Sequence, residues 1–243
     1  MASDLGGHAV GGGGTLRRGL LFRISGGLAG AAELAGLDDL GLRVLVDLRG
    51  PDEDRSAFQA YCRSRNIGYC HRPIPLGGAA EVHQVLRHHG DSVEDARRFL
   101  AAVYRRVLDE FGPTLAGAVA AVAEHPPAGF GCAAGKDRTG LVAALLQDLV
   151  GVDRAAIVAD YVALAPNLDQ LRPALSAWWG IDPADLDQPG LRGLLEANAE
   201  VMEATLDYLD ARYGGTLRFL QGAGLPPGTV DTLRHRFVAS PAR

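Results

Sequence analysis

Ala128-Gly129-Phe130-Gly131-Cys132-Ala133-Ala134-Gly135-Lys136-Asp137-Arg138-Thr139-Gly140, running on into Leu141-Val142-Ala143-Ala144-Leu145-Leu146, is the stretch on which the fold turns. After Pro126-Pro127, residues Ala128 to Gly131 predict a brief strand. Cys132 to Arg138 predicts a short glycine-bearing loop, and Thr139 to Val150 an apolar helix stopped by Gly151. Strand, loop and buried helix in that order suit anion binding. The unpartnered N–H groups of a helix N-terminus, and of the loop before it, can converge on one negative group.

Working outward, Leu42-Arg43-Val44-Leu45-Val46-Asp47-Leu48 is nearly continuous, β-branched and apolar, as expected of a strand covered on both faces in a mainly parallel sheet. It ends in Asp47-Leu48-Arg49, and the carboxyl ends of such strands are where open α/β sheets bind ligands. Residues Leu28–Leu40 predict a short helix before it. Val93–Phe111 and Thr114–Glu124 predict two helices broken at Gly112-Pro113. Residues 152–243 predict a mainly helical portion: Arg154–Ala165, Leu168–Trp179, a long Leu191–Tyr213 helix ended by Gly214-Gly215, and short helices around Leu217–Gly222 and Thr229–Phe237. Gly180–Gly190 reads as an irregular connection. The fold class is therefore α/β, with a central, mainly parallel sheet flanked by helices and a helical C-terminal portion.

With 243 residues and 47% hydrophobic content the chain is long enough for one sizeable core. Residues 1–15, with their glycine tract Gly11–Gly14, are expected to form a flexible arm, and residues 16–243 a single domain. A net charge of −5 supplies no general field for nucleic acid or an anionic membrane, so an anionic substrate must be caught locally. No apolar run is long enough to span a bilayer, and the first 15 residues have no apolar stretch resembling a secretory signal. The expectation is a cytoplasmic protein, with export by a route without a cleaved signal as the alternative. The sequence is silent on oligomeric state. Cys62, Cys70 and Cys132 form no Cys-x-x-Cys pair, so reduced thiols are the default and Cys62 and Cys70 read as small buried hydrophobes.

Cys132 differs because of the residues next to it. Arg138 closes the loop with a planar fork that can hold two phosphate oxygens and meet the charge that develops at five-coordinate phosphorus. Lysine would substitute poorly there. A nucleophilic sulfur must be a thiolate near neutral pH, whereas a free cysteine titrates at about 8.5, so the loop amides, helix dipole and Arg138 must lower it. Thr139 can donate its hydroxyl to that sulfur and ease its departure in a two-step covalent reaction.

Cys132-Ala133-Ala134-Gly135-Lys136-Asp137-Arg138-Thr139-Gly140 resembles the Cys-x5-Arg loop of protein tyrosine phosphatases. More narrowly, Ala134-Gly135-Lys136-Asp137-Arg138-Thr139-Gly140 is similar to the bacterial tyrosine/serine and phosphoinositide phosphatase family. Other pieces are similar too: Leu21-Phe22-Arg23 with Ser25, Asp47-Leu48-Arg49 followed by Glu53, Asp160-Tyr161 with Asn167, and Tyr213-Gly214. The resemblance covers most of residues 20–238. It implies a protein tyrosine phosphatase-like fold, hydrolysis of phosphotyrosine, phosphoserine/threonine or phosphoinositide substrates, and no metal or cofactor. The family usually has histidine before the nucleophile, where this chain has Gly131, which implies reduced activity.

Lys136 is the only lysine among 24 Lys and Arg residues, and it reads as a compact cation that contacts a second anionic group on the substrate. With no Trp-Pro-Asp segment in the chain, Asp137 is the first candidate for the acid that protonates the leaving oxygen. Its alternative is to pair with Arg138 or cap the helix. Asp47 is the runner-up, with Asp91, Asp95 and Asp109 behind it. The phosphate-binding set is then Ala133, Ala134, Gly135, Lys136 and Thr139, joined by Asp47 and Arg49 from the strand end. Arg23 and Arg49 read first as partners in surface or core ion pairs, with facing the pocket as the secondary reading. His71, His83, His88 and His89 do not complete a metal set, and Trp178-Trp179 reads as one core and one rim residue. Two rivals stand beside the phosphatase: a phospho-ligand-binding module weakened at Gly131, and a rhodanese-type sulfurtransferase.

Overall fold

The computed structural model describes residues 2–25, 34–76, 79–89, 92–164, 175–177 and 179–240. Its strands are β1 (Ala2–Asp4), β2 (Ala9–Val10), β3 (Gly14–Leu16), β4 (Leu21–Ser25), β5 (Val44–Asp47), β6 (Gly68–His71), β7 (Ala128–Cys132) and β8 (Val238–Ala239). The helices that carry the argument are α1 (Ser56–Arg65), α2 (Ala79–His89), α3 (Val93–Glu124), α4 (Asp137–Val150), α5 (Arg154–Val162), α6 (Pro189–Leu195), α7 (Ala199–Tyr213), α8 (Thr216–Gly222) and α9 (Thr229–Phe237). The central sheet has the order β1-β4-β7-β5-β6. β4, β7, β5 and β6 run parallel and only β1 is antiparallel. This is the mainly parallel α/β architecture expected from the sequence.

Both faces of the sheet are covered, which is why its strands read as unbroken apolar runs. Val44, Val46 and Phe130 pack with Tyr104, Val119 and Leu141 on the face of α3 and α4. Leu45, Phe22 and Ile24 pack on the other face with Phe58, Tyr61 and Cys62 of α1. Along β5 the side chains alternate between these two clusters, as a pleated strand requires.

The N-terminus is not the flexible arm expected of residues 1–15. Leu5, Val10 and Leu16 are buried in the main core. β1 extends the central sheet, and the Asp4 carboxylate accepts the N–H groups of Gly6 and Gly19 at 2.8 Å each. The glycine tract is the turn of the β2–β3 hairpin, which β8 completes as a second, three-stranded sheet. Composition pointed to disorder; three apolar residues and one turn-capping aspartate prevail.

Several helical boundaries also differ from expectation. The two helices expected over residues 93–124 are joined as α3, with one non-helical residue, Phe111, ahead of Pro113. The long helix expected over Leu191–Tyr213 is broken into α6 and α7. Asn198 lies in the break with extended backbone and accepts the Glu200 N–H at 2.9 Å, a cap hidden inside an apparently helical run. Pro183–Asp187, expected as irregular, is a 3-10 helix capped by Asp182. Asp38–Leu40, the end of the helix expected over Leu28–Leu40, is likewise a 3-10 turn. Residues 26–33, Asp91, Asn167, Trp178 and most of the helix expected over Leu168–Trp179 lie outside the described residues.

β7 is the innermost strand, and it is glycine-rich for a packing reason. Gly131 stands opposite Ile24 of β4, and a Cβ there would run into the Ile24 carbonyl oxygen and lie 3.0 Å from its carbon. A Cβ on Gly129 would instead meet the tip of the Ile24 side chain, at 2.5 Å, which can move. Gly131→Ala is expected to lower stability by about 1–3 kcal/mol and Gly129→Ala by less. Denaturant midpoints of the two variants check this, and the reverse order would show that the β4 backbone is not what requires glycine at 131.

Candidate active site

β7 ends at Cys132, and after four intervening residues α4 begins at Asp137. The sulfur is therefore delivered from the middle of the sheet to the mouth of a helix N-terminus. Cys132 is only 2% exposed. The Thr139 hydroxyl donates to its Sγ at 3.1 Å across the first turn of α4. Among the described residues, the N–H groups of Ala133, Ala134 and Gly135 meet no acceptor. Gly135 takes φ +73, and a Cβ there would lie 2.6 Å from the Cβ of Ser25, so the loop can fold this tightly against β4 only with glycine.

Arg138, on the first turn of α4, is buried and held from outside the loop. Its Nη1 and Nη2 grip both carboxylate oxygens of Glu53, the second at 3.0 Å, and Nη1 donates also to the Ile74 carbonyl at 3.2 Å. The Gly50 N–H donates in turn to Glu53 Oε2 at 2.5 Å. Burial pulls the Arg138 pKa down, but Cys132, Glu53 and Asp137 outweigh it and hold the guanidinium above its ordinary value. A permanent cation thus faces the sulfur.

Asp137 lies beside the loop with its side chain 27% exposed. Its Oδ1 accepts from the Tyr104 hydroxyl at 2.7 Å and from the Lys136 ammonium at 3.1 Å. Tyr104 OH is also 2.8 Å from Tyr161 OH. Burial first, and then Asp137 and its tyrosine neighbour, push the Tyr104 phenol well above its ordinary pKa. Burial and Asp137 do the same for Tyr161. Both are neutral donors at any assay pH.

A model described as the tyrosine phosphatase family matches residues 3–239 of this sequence. The chain belongs to that family. A Cupriavidus necator relative carrying the name tyrosine-protein phosphatase is 30% identical over 226 residues, 91% of this chain and 80% of its own. PtpB of Mycobacterium tuberculosis, named a triple specificity protein phosphatase, is 33% identical over 164 residues, 60% of this chain and 59% of its own. Among solved structures, P. aeruginosa TpbA in complex with phosphotyrosine is similar at TM-score 0.37 and 21% identity, covering 74% of this chain and 89% of that one. The protein is a cysteine-dependent phosphatase.

The sequence-derived candidates fall into two groups around this phosphatase loop. Cys132, Ala133, Ala134, Gly135, Asp137, Arg138 and Thr139 are brought together. Lys136 is among them but directed elsewhere: it is 3% exposed, and its ammonium donates to the carbonyls of Leu194 at 2.5 Å and Glu196 at 3.4 Å, besides pairing with Asp137. Those carbonyls are available because the helix breaks between α6 and α7. In this arrangement Lys136 joins the loop to that break and offers no cation to a second substrate group.

Asp47 and Arg49 bind each other beneath the site. Arg49 grips both oxygens of the fully buried Asp47 carboxylate through Nε at 3.0 Å and Nη2 at 2.7 Å. Its Nη1 donates to the Asp54 carbonyl at 2.6 Å, and Tyr69 OH donates to Asp47 at 2.8 Å. Three of the five N–H donors of Arg49 are spent on these contacts. Arg23 is likewise engaged with Asp160, through two hydrogen bonds at 2.7 and 3.2 Å. Asp109 accepts from Tyr208 and Tyr213, and Asp95 sits 3.7 Å from Arg98, so both are committed on the α3 surface. Among the described residues no three His, Cys, Asp or Glu side chains cluster as a metal site, and His83 bonds the carbonyl of buried Trp179.

Sequence reasoning gave no role to Glu53, Tyr104 or Tyr161. Glu53 and Tyr161 were visible only as pieces of family likeness, and Tyr104 lay unremarked within the helix expected over Val93–Phe111. Glu53→Gln is expected to lower kcat/KM by about 10²-fold by loosening Arg138, an effect of misplacement; an unchanged value would show that Arg138 holds its place without Glu53. The tyrosines give a pH signature. An unfolded phenol titrates at about 10, and folding raises the values for Tyr104 and Tyr161. The stability they contribute is full below that pH and is lost as pH rises above it. Melting curves from pH 8 to about 11 should show a shallower alkaline decline for Tyr161→Phe than for the wild type.

Proposed function

We propose that Cys132 Sγ attacks the phosphorus of a bound monoester, forming an S–P bond as the P–O bond to the leaving group breaks. The observation that carries this is the placement of Cys132 Sγ 3.1 Å from the Thr139 hydroxyl, at the N-terminus of α4, with Arg138 held on the same turn by Glu53. The loop N–H groups of Ala133, Ala134 and Gly135 and the Arg138 guanidinium bind the phosphoryl oxygens and meet their growing charge. Asp137 gives its proton to the departing oxygen. It then takes one from the water that attacks phosphorus, and the S–P bond breaks to release phosphate. Thr139 stabilises the sulfur as it leaves. Lys136 acts in this scheme by positioning Asp137, and Asp47 with Arg49 by bracing the β5 end. The steps call on no metal or cofactor.

The substrate we propose is phosphotyrosine, with phosphoserine/threonine and phosphoinositides as further substrates. Family membership supports the first, and the triple specificity in the name of the Mycobacterium relative supports the wider range. The place of action we propose is the cytoplasm, consistent with the free thiols of Cys62, Cys70 and Cys132. Among the described residues no helix is long and apolar enough to cross a membrane.

Cys132→Ser is expected to abolish p-nitrophenyl phosphate hydrolysis, and residual turnover at the wild-type rate would remove Cys132 as nucleophile. Asp137→Asn is expected to slow phenyl phosphate, whose leaving group needs a proton, by about 10²-fold or more, and p-nitrophenyl phosphate far less. Equal losses on both esters would exclude Asp137 as the acid. Catalytic efficiencies on a phosphotyrosine peptide, a phosphoserine peptide and a phosphoinositide order the substrates.

A further inference from the structure

The parallel strands β4, β7 and β5 deliver their carboxyl ends to the catalytic loop, and their amino ends gather at the opposite edge of the sheet. There Leu20, Arg43 and Pro126, immediately ahead of the three strands, line a cleft of about 410 Å³. It is separated from Cys132 by the length of β7, roughly 20 Å from Pro126 at strand rise. Arg17, Arg43, Arg236, His125 and His235 surround it, against one acid, Glu124. Three arginines thus gather at one cleft of a chain whose net charge, with histidine taken as neutral, is −5.

Part of that charge has a structural explanation. Arg236, in the last turn of α9, donates through Nη1 to the carbonyls of Ala123, at 3.1 Å, and Glu124 at the end of α3, where a cation offsets the helix dipole. Arg17 and Arg43 have no such role. They stand on extended segments, and among the described residues their guanidinium groups make no hydrogen bond or ion pair. Their backbones are fixed: Arg17 N–H donates to the Phe237 carbonyl at 2.7 Å and Arg43 N–H to the Pro127 carbonyl at 2.8 Å. Two uncommitted guanidiniums are thus held on pinned backbone around a concave site large enough for a small ligand.

We propose that this cleft is a second anion site, which binds a compact ligand carrying two or more phosphoryl groups. Guanidinium forks match phosphate oxygens two at a time, and several cations converging on one small cleft favour clustered phosphates over a single one. The same chemistry is offered by a soluble oligophosphate and by a multiply phosphorylated lipid headgroup.

Inorganic tripolyphosphate, titrated calorimetrically into the full chain carrying Cys132→Ser and Arg138→Met, is expected to bind one equivalent. Adding Arg17→Gln and Arg43→Gln should weaken it by roughly tenfold or more, the worth of lost charged hydrogen bonds. In the chain with Cys132 and Arg138 intact, the same two glutamines should leave p-nitrophenyl phosphate turnover unchanged, which also reports that the fold is intact. Capture on vesicles containing a phosphatidylinositol bisphosphate, lost with the same two substitutions, would assign the ligand to a lipid headgroup. Tripolyphosphate binding without vesicle capture would assign it to a soluble molecule. Binding that disappears with Arg138→Met alone, or that survives Arg17→Gln/Arg43→Gln unweakened, overturns the proposal.

Discussion

The close parallel packing of β7 between β4 and β5 sets where the reactive sulfur stands. The Leu48 N–H donates to the Gly131 carbonyl at 2.8 Å on one side, and on the other the Ile24 backbone presses on the space a Cβ would need. Cys132 is thereby fixed as the last residue of a strand that has covered faces and paired edges, and the chain must turn at once into α4. A helix N-terminus then lies over the sulfur without any dedicated binding residue. Histidine in place of Gly131 would have to displace β4. The glycine is therefore part of how this sheet packs, as well as a departure from the family pattern.

Around that strand end, each buried arginine meets a carboxylate, two of them across long stretches of chain and one, Asp47 with Arg49, within the end of β5 itself. Glu53 meets Arg138, Asp47 meets Arg49, and Asp160 meets Arg23. Burying ions is costly, and pairs of this kind add little net stability against apolar replacements. What they supply is geometry: removing either partner leaves an uncompensated charge, so Glu53–Arg138 and Asp160–Arg23 each hold two segments in one register, while Asp47–Arg49 fixes the end of β5. Arginine serves in all three because both partners present planar, two-pronged groups. The solitary lysine answers a different demand. The Leu194 and Glu196 carbonyls and the Asp137 carboxylate are separate acceptors, which suit a point-like ammonium with three diverging donors better than a planar fork.

The polarity of a parallel sheet also divides the molecule chemically. Its carboxyl edge carries cations already engaged by carboxylates and carbonyls, turned inward around a nucleophile. Its amino edge carries Arg17 and Arg43 with no such engagement, open to solvent. The same arginine-rich composition thus produces a closed, preorganised site at one edge and a receptive cleft at the other. The difference lies in how the acids are disposed: Glu124, the one acid lining the cleft, stands 3.6 Å from His125 and pairs with neither Arg17 nor Arg43.

The strand-loop-helix around Cys132, the β5 strand and the C-terminal helices were legible in the sequence because their signals are local: apolar runs, a glycine-bearing loop, glycine stops. Cys132, Arg138 and Thr139, to which the proposed mechanism gives the roles of nucleophile, phosphate-binding arginine and supporting hydroxyl, came with them, since all three stand within one short run of residues. The ordered N-terminus was not legible, because the three buried residues that order it are spread through a glycine-rich segment. Neither was the break at Asn198, where a cap is masked by helical periodicity on both sides. The direction of Lys136 depends on that break, the grip on Arg138 on Glu53, 85 residues away in the chain, and the support of Asp137 on Tyr104, 33 residues away. The sequence by itself determined which residues can do the chemistry. Only the tertiary structure decided which of them are committed to one another, because hydrogen bonds and ion pairs between distant segments leave no periodicity in the chain.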